Sequence, residues 1–154
     1  MSSLSPPATI IVIDSNIAIW TVLPTLGSID PGPSLARWYQ SGVQLVAPAH
    51  WLAECISVVR INVQRRQLTM AQGRAALEDI FALQVQILPI TEAIGRAAFD
   101  WAERLNQARA YDALYLALAE SLPAELWTAD RRLADRARQI GVTWVRWIGE
   151  GAAA

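Results

Sequence analysis

Short runs rich in β-branched residues alternate along this chain with longer segments of helical period, and that alternation leaves few folds open. Thr9-Ile10-Ile11-Val12-Ile13 is apolar or β-branched at every position, the pattern of a strand covered on both faces rather than one. Gln44 to Ala47, Val85 to Leu88, Glu125 to Thr128 and Thr143 to Ile148 are further strand candidates. Between them lie helical stretches: Ser15 to Leu23, Ser34 to Ser41, Ala49 to Arg65, a segment capped by Thr69 and running to Leu83, one capped by Thr91 and running to Ala108, Tyr111 to Ser121, and Asp130 to Ile140. Thr69 followed by Gln72 is a capping box. Leu52, Cys55, Ile56, Val59 and Val63 mark the inner face of the third helix. Tyr111 to Ser121 is apolar nearly all round and therefore belongs in the centre. Strand–helix alternation gives an α/β fold with a parallel sheet and helices on both faces. At 154 residues and 53% apolar content the chain forms one domain with a full core. Residues 1–8 and 149–154 read as flexible tails, and Pro24, Gly27, Pro31, Gly32 and Pro33 as a loop.

Against this apolar background four acids stand out. Asp14 ends the first strand, Glu54 lies one turn into the third helix, Asp112 opens the central helix, and Asp130 follows the fourth strand. An isolated carboxylate in such surroundings is costly unless it is neutralised, exposed or gathered around a cation. Singly, each has a bland explanation: Asp14, Asp112 and Asp130 as helix caps, Glu54 as a partner of an arginine such as Arg60. Jointly they share a feature that capping does not explain. All fall at strand ends or helix starts, the edge of an open α/β sheet where ligands bind. Converged carboxylates repel, and a hard divalent cation with oxygen ligands relieves that repulsion. Such a centre serves phosphodiester hydrolysis.

Several chemistries are excluded or disfavoured. All 13 basic residues are arginine, so neither a P-loop nor a pyridoxal Schiff base is available. A phosphoryl-acceptor role for Asp14 also lacks its lysine, and Asn16 stands where a second acid is wanted. Cys55, the single cysteine, reads as a small core residue, and His50, the single histidine, as structural or surface. A net charge of −1 means that any nucleic-acid contact rests on a local positive patch. No apolar run is long enough for a bilayer, and no leader is recognisable, so a cytoplasmic protein without a membrane role is expected.

Three segments carry a family resemblance. Ile11-Val12-Ile13-Asp14-Ser15-Asn16, Tyr111-Asp112-Ala113-Leu114-Tyr115-Leu116-Ala117-Leu118-Ala119-Glu120 and Leu126-Trp127-Thr128-Ala129-Asp130-Arg131-Arg132-Leu133 resemble the acid-bearing motifs of the PIN-domain ribonucleases, most closely the toxins of VapBC-type toxin–antitoxin pairs. Pro48 to Glu54 resembles the segment of the second acid. The resemblance runs from Ile10 to Ile148. It implies a five-stranded parallel sheet, Mg²⁺ or Mn²⁺ held by Asp14, Glu54, Asp112 and Asp130, and hydrolysis of single-stranded or loop RNA. Asn16 and Thr128 match positions that support the acids by hydrogen bonding. It further implies a small cognate antitoxin and a homodimer, contacts that Trp20, Trp38 and Trp101 would suit. The loop from Pro24 to Pro33 is longer than in the compact toxins. Arg109, Arg131 and Arg132, beside Asp112 and Asp130, are the candidates for RNA phosphates. Two other readings are a PIN nuclease of RNA processing without an antitoxin, and a non-catalytic binding module.

Overall fold

The computed structural model describes residues 7–151. Five strands form one sheet in the order β3-β2-β1-β4-β5, every neighbouring pair parallel. They are β1 (Ile10–Ile13), β2 (Gln44–Pro48), β3 (Gln86–Leu88), β4 (Glu125–Thr128) and β5 (Val145–Trp147). Eight helices connect and follow them: α1 (Ser15–Val22), α2 (Gly32–Gln40), α3 (His50–Gln64), α4 (Met70–Phe81), α5 (Glu92–Arg104), α6 (Tyr111–Ser121), α7 (Arg131–Gln139) and α8 (Ile148–Gly151). Ile11, Val12 and Ile13 on consecutive, opposite-facing positions are all buried, so helices cover both faces of β1. β3 is an edge strand, and its Gln86 and Ile87 are exposed.

The strand order reverses beside β1. From β1 the chain builds outward through β2 to β3, then returns to place β4 on the other side of β1 and β5 beyond it. Helices leaving the carboxyl ends of β1 and β4 therefore diverge and leave a crevice between them. Asp14 follows β1 directly, and its N–H donates to the Trp127 carbonyl at 3.2 Å, extending the β1–β4 ladder by one bond. α6 packs against α5 and under β1, β2 and β4. Its Ala113 and every residue from Tyr115 to Ala119 are buried, as its all-round apolar character requires.

The capping box of Thr69 and Gln72 is formed at α4, and Thr91 caps α5. Several expectations need correction. α5 ends at Arg104, not Ala108, because Asn106 takes a left-handed conformation (φ 51°). The N–H groups of Asn106 and Gln107 then close on the carbonyls of Glu103 and Ala102, a Schellman termination. The Pro24–Pro33 segment contains a 3₁₀ turn at Pro24–Leu26, and Gly27 admits the Trp20 ring where a Cβ would clash. Of the two expected tails, residues 1–6 and 152–154 lie outside the described residues. Glu150 sits in α8, paired with Arg138 and with Arg146. The tryptophans also differ from expectation. Trp101 is buried edge-on against Trp144 at 5.7 Å, and Trp38 meets Trp127 at 5.4 Å. Trp101 is thus occupied within the chain while Trp20 and Trp38 are half-buried, and the exposed large apolar side chains include Ile56, Ile61, Met70, Phe81 and Phe99. Among the described residues no helix is long and apolar enough to cross a membrane.

Candidate acidic site at the sheet switch point

Asp14 and Asp130 occupy equivalent places, one residue or two past adjacent parallel strands, and each caps the helix that follows. Asp14 Oδ1 accepts the Ile17 N–H at 3.1 Å; Asp130 Oδ1 accepts the N–H groups of Arg132 and Leu133 at 2.9 and 3.4 Å. Capping and convergence are therefore compatible, because each cap engages one carboxylate oxygen. Thr128, fully buried at the end of β4, ties the two acids together. Its hydroxyl donates to Asp14 Oδ2 and accepts the Asp130 N–H at 2.9 Å. A hydroxyl with one proton and two lone pairs suits this double role.

Glu54, on the second turn of α3, is held from three sides. Ser15 Oγ donates to Oε2 at 2.7 Å, and the Tyr115 hydroxyl to Oε1 at 3.3 Å. His50 Nε2 lies 2.9 Å from Oε1 and 2.9 Å from the Tyr111 carbonyl. The His50 ring lies against Tyr115 with centroids 4.7 Å apart, and its buried Nδ1 finds no partner. Since both Nε2 neighbours are acceptors, that nitrogen carries the proton. Arg60 bonds Gln64 and leaves Glu54 to this cluster. Asp112, in the first turn of α6, does not cap it; Ala110 holds the cap position. Its Oδ2 accepts the Gln107 amide at 3.0 Å.

The four acids share one electrostatic field. Burial pushes the Asp14 carboxyl up to about 7, and the charges of Asp130 and Glu54 push the same way against the Thr128 and Ile17 hydrogen bonds. Asp112 is also raised, first by burial, with Asp130 and Glu54 adding and Gln107 and Arg136 opposing. As the side chains stand, no three His, Cys, Asp or Glu groups among the described residues are gathered closely enough to hold a metal ion. The chemistry of the donors nevertheless fits a hard divalent cation. They are carboxylate oxygens with lone pairs to spare, and they destabilise one another's charged forms for want of positive charge. Cys55 is buried beside them, and burial, with the charges of Glu54 and Asp14 adding, pushes its thiol up to about 12, the behaviour of a core thiol.

The remaining sequence candidates divide. Asn16 is half-buried and makes no side-chain hydrogen bond among the described residues; the contact expected of it is made by Ser15. Arg109 is exposed in the loop before α6. Arg131 lies 3.7 Å from Asp135 and 5.1 Å over the Trp147 ring, and Arg132 is exposed. Sequence reasoning missed Ser15, Tyr115, Gln107 and Arg136, and undervalued His50. Part of this was readable: His50 precedes Glu54 by one helical turn, and Tyr115 follows Asp112 by three residues. Removing the Tyr115 hydroxyl should loosen Glu54 without unfolding α6. Tyr115→Phe is expected to weaken Mn²⁺ binding by about ten-fold or more, the usual cost of losing a ligand's hydrogen-bond partner, as read by calorimetric titration. Unchanged affinity would separate Tyr115 from the site.

Fold and site together define an α/β domain with a carboxylate centre at its topological switch point. The chain belongs to the PIN-domain family, whose model matches residues 11–139. It is similar to ribonuclease VapC9 of Mycobacterium tuberculosis, 35% identical over 125 residues, covering 81% of this chain and 89% of the relative. Solved structures that share the fold include the following two. A protein of Pyrobaculum aerophilum superposes with a TM-score of 0.69 at 14% identity, covering 94% of this chain and 88% of that one. VapBC2 of Rickettsia felis, bound to a DNA fragment from its promoter, gives 0.65 at 15% identity over 90% and 98%.

Proposed function

We propose that this protein is an endoribonuclease of the VapC kind that hydrolyses phosphodiester bonds of RNA with Mg²⁺ or Mn²⁺ at Asp14, Glu54, Asp112 and Asp130. The observation that carries the reading is the shared field of these acids at the β1/β4 crevice, in a chain whose relatives are named ribonucleases. When bound, a divalent cation supplies Lewis-acid polarisation of the phosphodiester and activation of water. The protein's part is placement. Thr128 and the α1 amide fix Asp14, the α7 amides fix Asp130, Gln107 fixes Asp112, and Ser15, Tyr115 and His50 fix Glu54. Arg109 and Arg132, exposed on the loop before α6 and the first turn of α7, are the arginines this reading gives to RNA phosphates, while Arg131 is engaged by Asp135 and Trp147. Purified protein should cleave single-stranded RNA when Mg²⁺ or Mn²⁺ is present and stop when the ion is chelated. Cleavage that survives chelation would remove the metal from the reading.

A small antitoxin encoded beside this chain, and a homodimer, belong to the same reading. Relatives carry the VapC name, and one structural neighbour is a VapBC complex on its promoter DNA. Exposed apolar side chains on α3, α4 and α5 (Ile61, Phe81, Phe99) offer surface for such contacts. If expression of this chain arrests growth, co-expression of a short open reading frame found beside its gene should relieve the arrest; arrest left unrelieved would favour a nuclease that works alone.

A further inference from the structure

A cavity of about 470 Å³ opens beside Asp112, between the α5–α6 loop and α7, within the size range of small-ligand sites. Gln107, Arg109, Tyr111, Asp112 and Arg136 line it. Arg136 already acts on Asp112 through its charge, and both guanidinium groups keep N–H donors to spare for a ligand. Arg109 makes no ion pair among the described residues, and Arg136 gives only one weak bond, 3.4 Å, to the Leu105 carbonyl. Tyr111 is 58% exposed at the mouth of a polar cleft, loosely stacked with the His50 ring at 6.1 Å between centroids and with much of its surface still in water. Inside, the Gln107 amide holds Asp112 through Nε2, while its Oε1 is buried without a partner. The same Tyr111 also lines a second cleft with Glu54 and His50, so it stands between the two acids of α3 and α6.

Each part matches one part of a nucleotide. Guanidinium forks suit phosphate oxygens. An exposed phenol suits a base laid flat upon it. We infer that this cleft is a subsite for one nucleotide of a single-stranded RNA, its phosphate gripped by Arg109 and Arg136 and its base stacked on Tyr111, next to the bond cut over Asp112. The inference rests on the ribonuclease reading and names where the strand lies. It also assigns Arg136 and Tyr111, rather than Arg131, to substrate: Arg131 is already engaged by Asp135 and Trp147. Gln107 links occupancy of the cleft to the orientation of Asp112.

The test measures binding of a short fluorescein-labelled single-stranded RNA of mixed sequence by anisotropy across a salt series, in a Glu54→Gln background and with chelator present so that the RNA is not cut. Adding Arg109→Ala and Arg136→Ala should raise Kd about ten-fold or more and lower the slope of log affinity against log salt by about 0.7 for each arginine removed. Tyr111→Ala should raise Kd about ten-fold with the salt slope unchanged, as loss of stacking does, and Tyr111→Phe should restore it. Kd and slope that ignore all three substitutions, in a protein whose wild type cleaves RNA, overturn the subsite and leave the ribonuclease intact. A wild type that neither binds nor cleaves this RNA overturns both.

Discussion

Asp112→Asn protein should fold as the wild type does and cleave RNA about a thousand-fold more slowly, or not measurably. The substitution keeps the size of the side chain and an acceptor oxygen for the Gln107 amide, so its effect on packing is small. What it removes is one negative charge from a centre whose other members, Glu54 and Asp130, already act on Asp112. With one carboxylate fewer, the remaining acids would hold a divalent cation less tightly, and the Lewis-acid help it would supply would fall by several kcal/mol in the transition state. Asp14→Asn and Asp130→Asn should behave alike, each keeping its helix cap because asparagine caps as well as aspartate. The measurement is single-turnover cleavage of a labelled RNA with Mg²⁺ in excess, beside a thermal melt. Activity within a few-fold of wild type in purified Asp112→Asn protein would sink the mechanism.

The second large effect is on stability, and its direction is counter-intuitive for a buried, doubly hydrogen-bonded acid. Asp14 is raised from 3.8 to about 7, chiefly by burial. Between those two values the metal-free folded protein holds a proton that the unfolded chain has released. Stability contributed by this group is therefore complete below about pH 4, falls as the pH climbs toward 7, and is flat above. With one unit equal to about 1.4 kcal/mol, the span amounts to several kcal/mol at most. Asp112 is raised as well and reinforces the trend. Metal-free Asp14→Asn protein should consequently be more stable than wild type at pH 8 in urea denaturation, with the advantage fading toward pH 4. A cation reverses the sign by favouring the ionised acids: at a hundred times its Kd it adds about 2.7 kcal/mol, and this gain should be much smaller in Asp14→Asn. A wild type whose metal-free stability rises between pH 5 and 7 would show that Asp14 is not the strained acid described here.

Much of this was legible in the chain before any coordinates. The β-branched run before Asp14 marks a doubly covered strand, and the apolar helix from Tyr111 to Ser121 has the same limits in sequence and structure. Capping residues at Thr69 and Thr91 announced their helices because the signal is local. The four acids were visible because a carboxylate at the edge of an apolar run is conspicuous one residue at a time. Of their supports only Thr128 was, since a serine, a tyrosine or a glutamine looks ordinary until the fold brings it against an acid, in two cases 39 and 61 residues away, as Ser15 and Tyr115 meet Glu54. The end of α5 shows the same limit. Leu105 continues the helical period, yet Asn106 turns the chain left-handed. That turn frees Gln107 and Arg109 to line the cleft beside Asp112.

The most direct test is the anomalous signal of Mn²⁺ in crystals grown with the ion near neutral pH. The expected result is a peak at the carboxyl ends of β1 and β4, within ligand distance of carboxylate oxygens from Asp14, Asp112 and Asp130, and approached by Glu54. An ion settled elsewhere, or no peak in that crevice at saturating Mn²⁺, would contradict the placing of metal-assisted hydrolysis there.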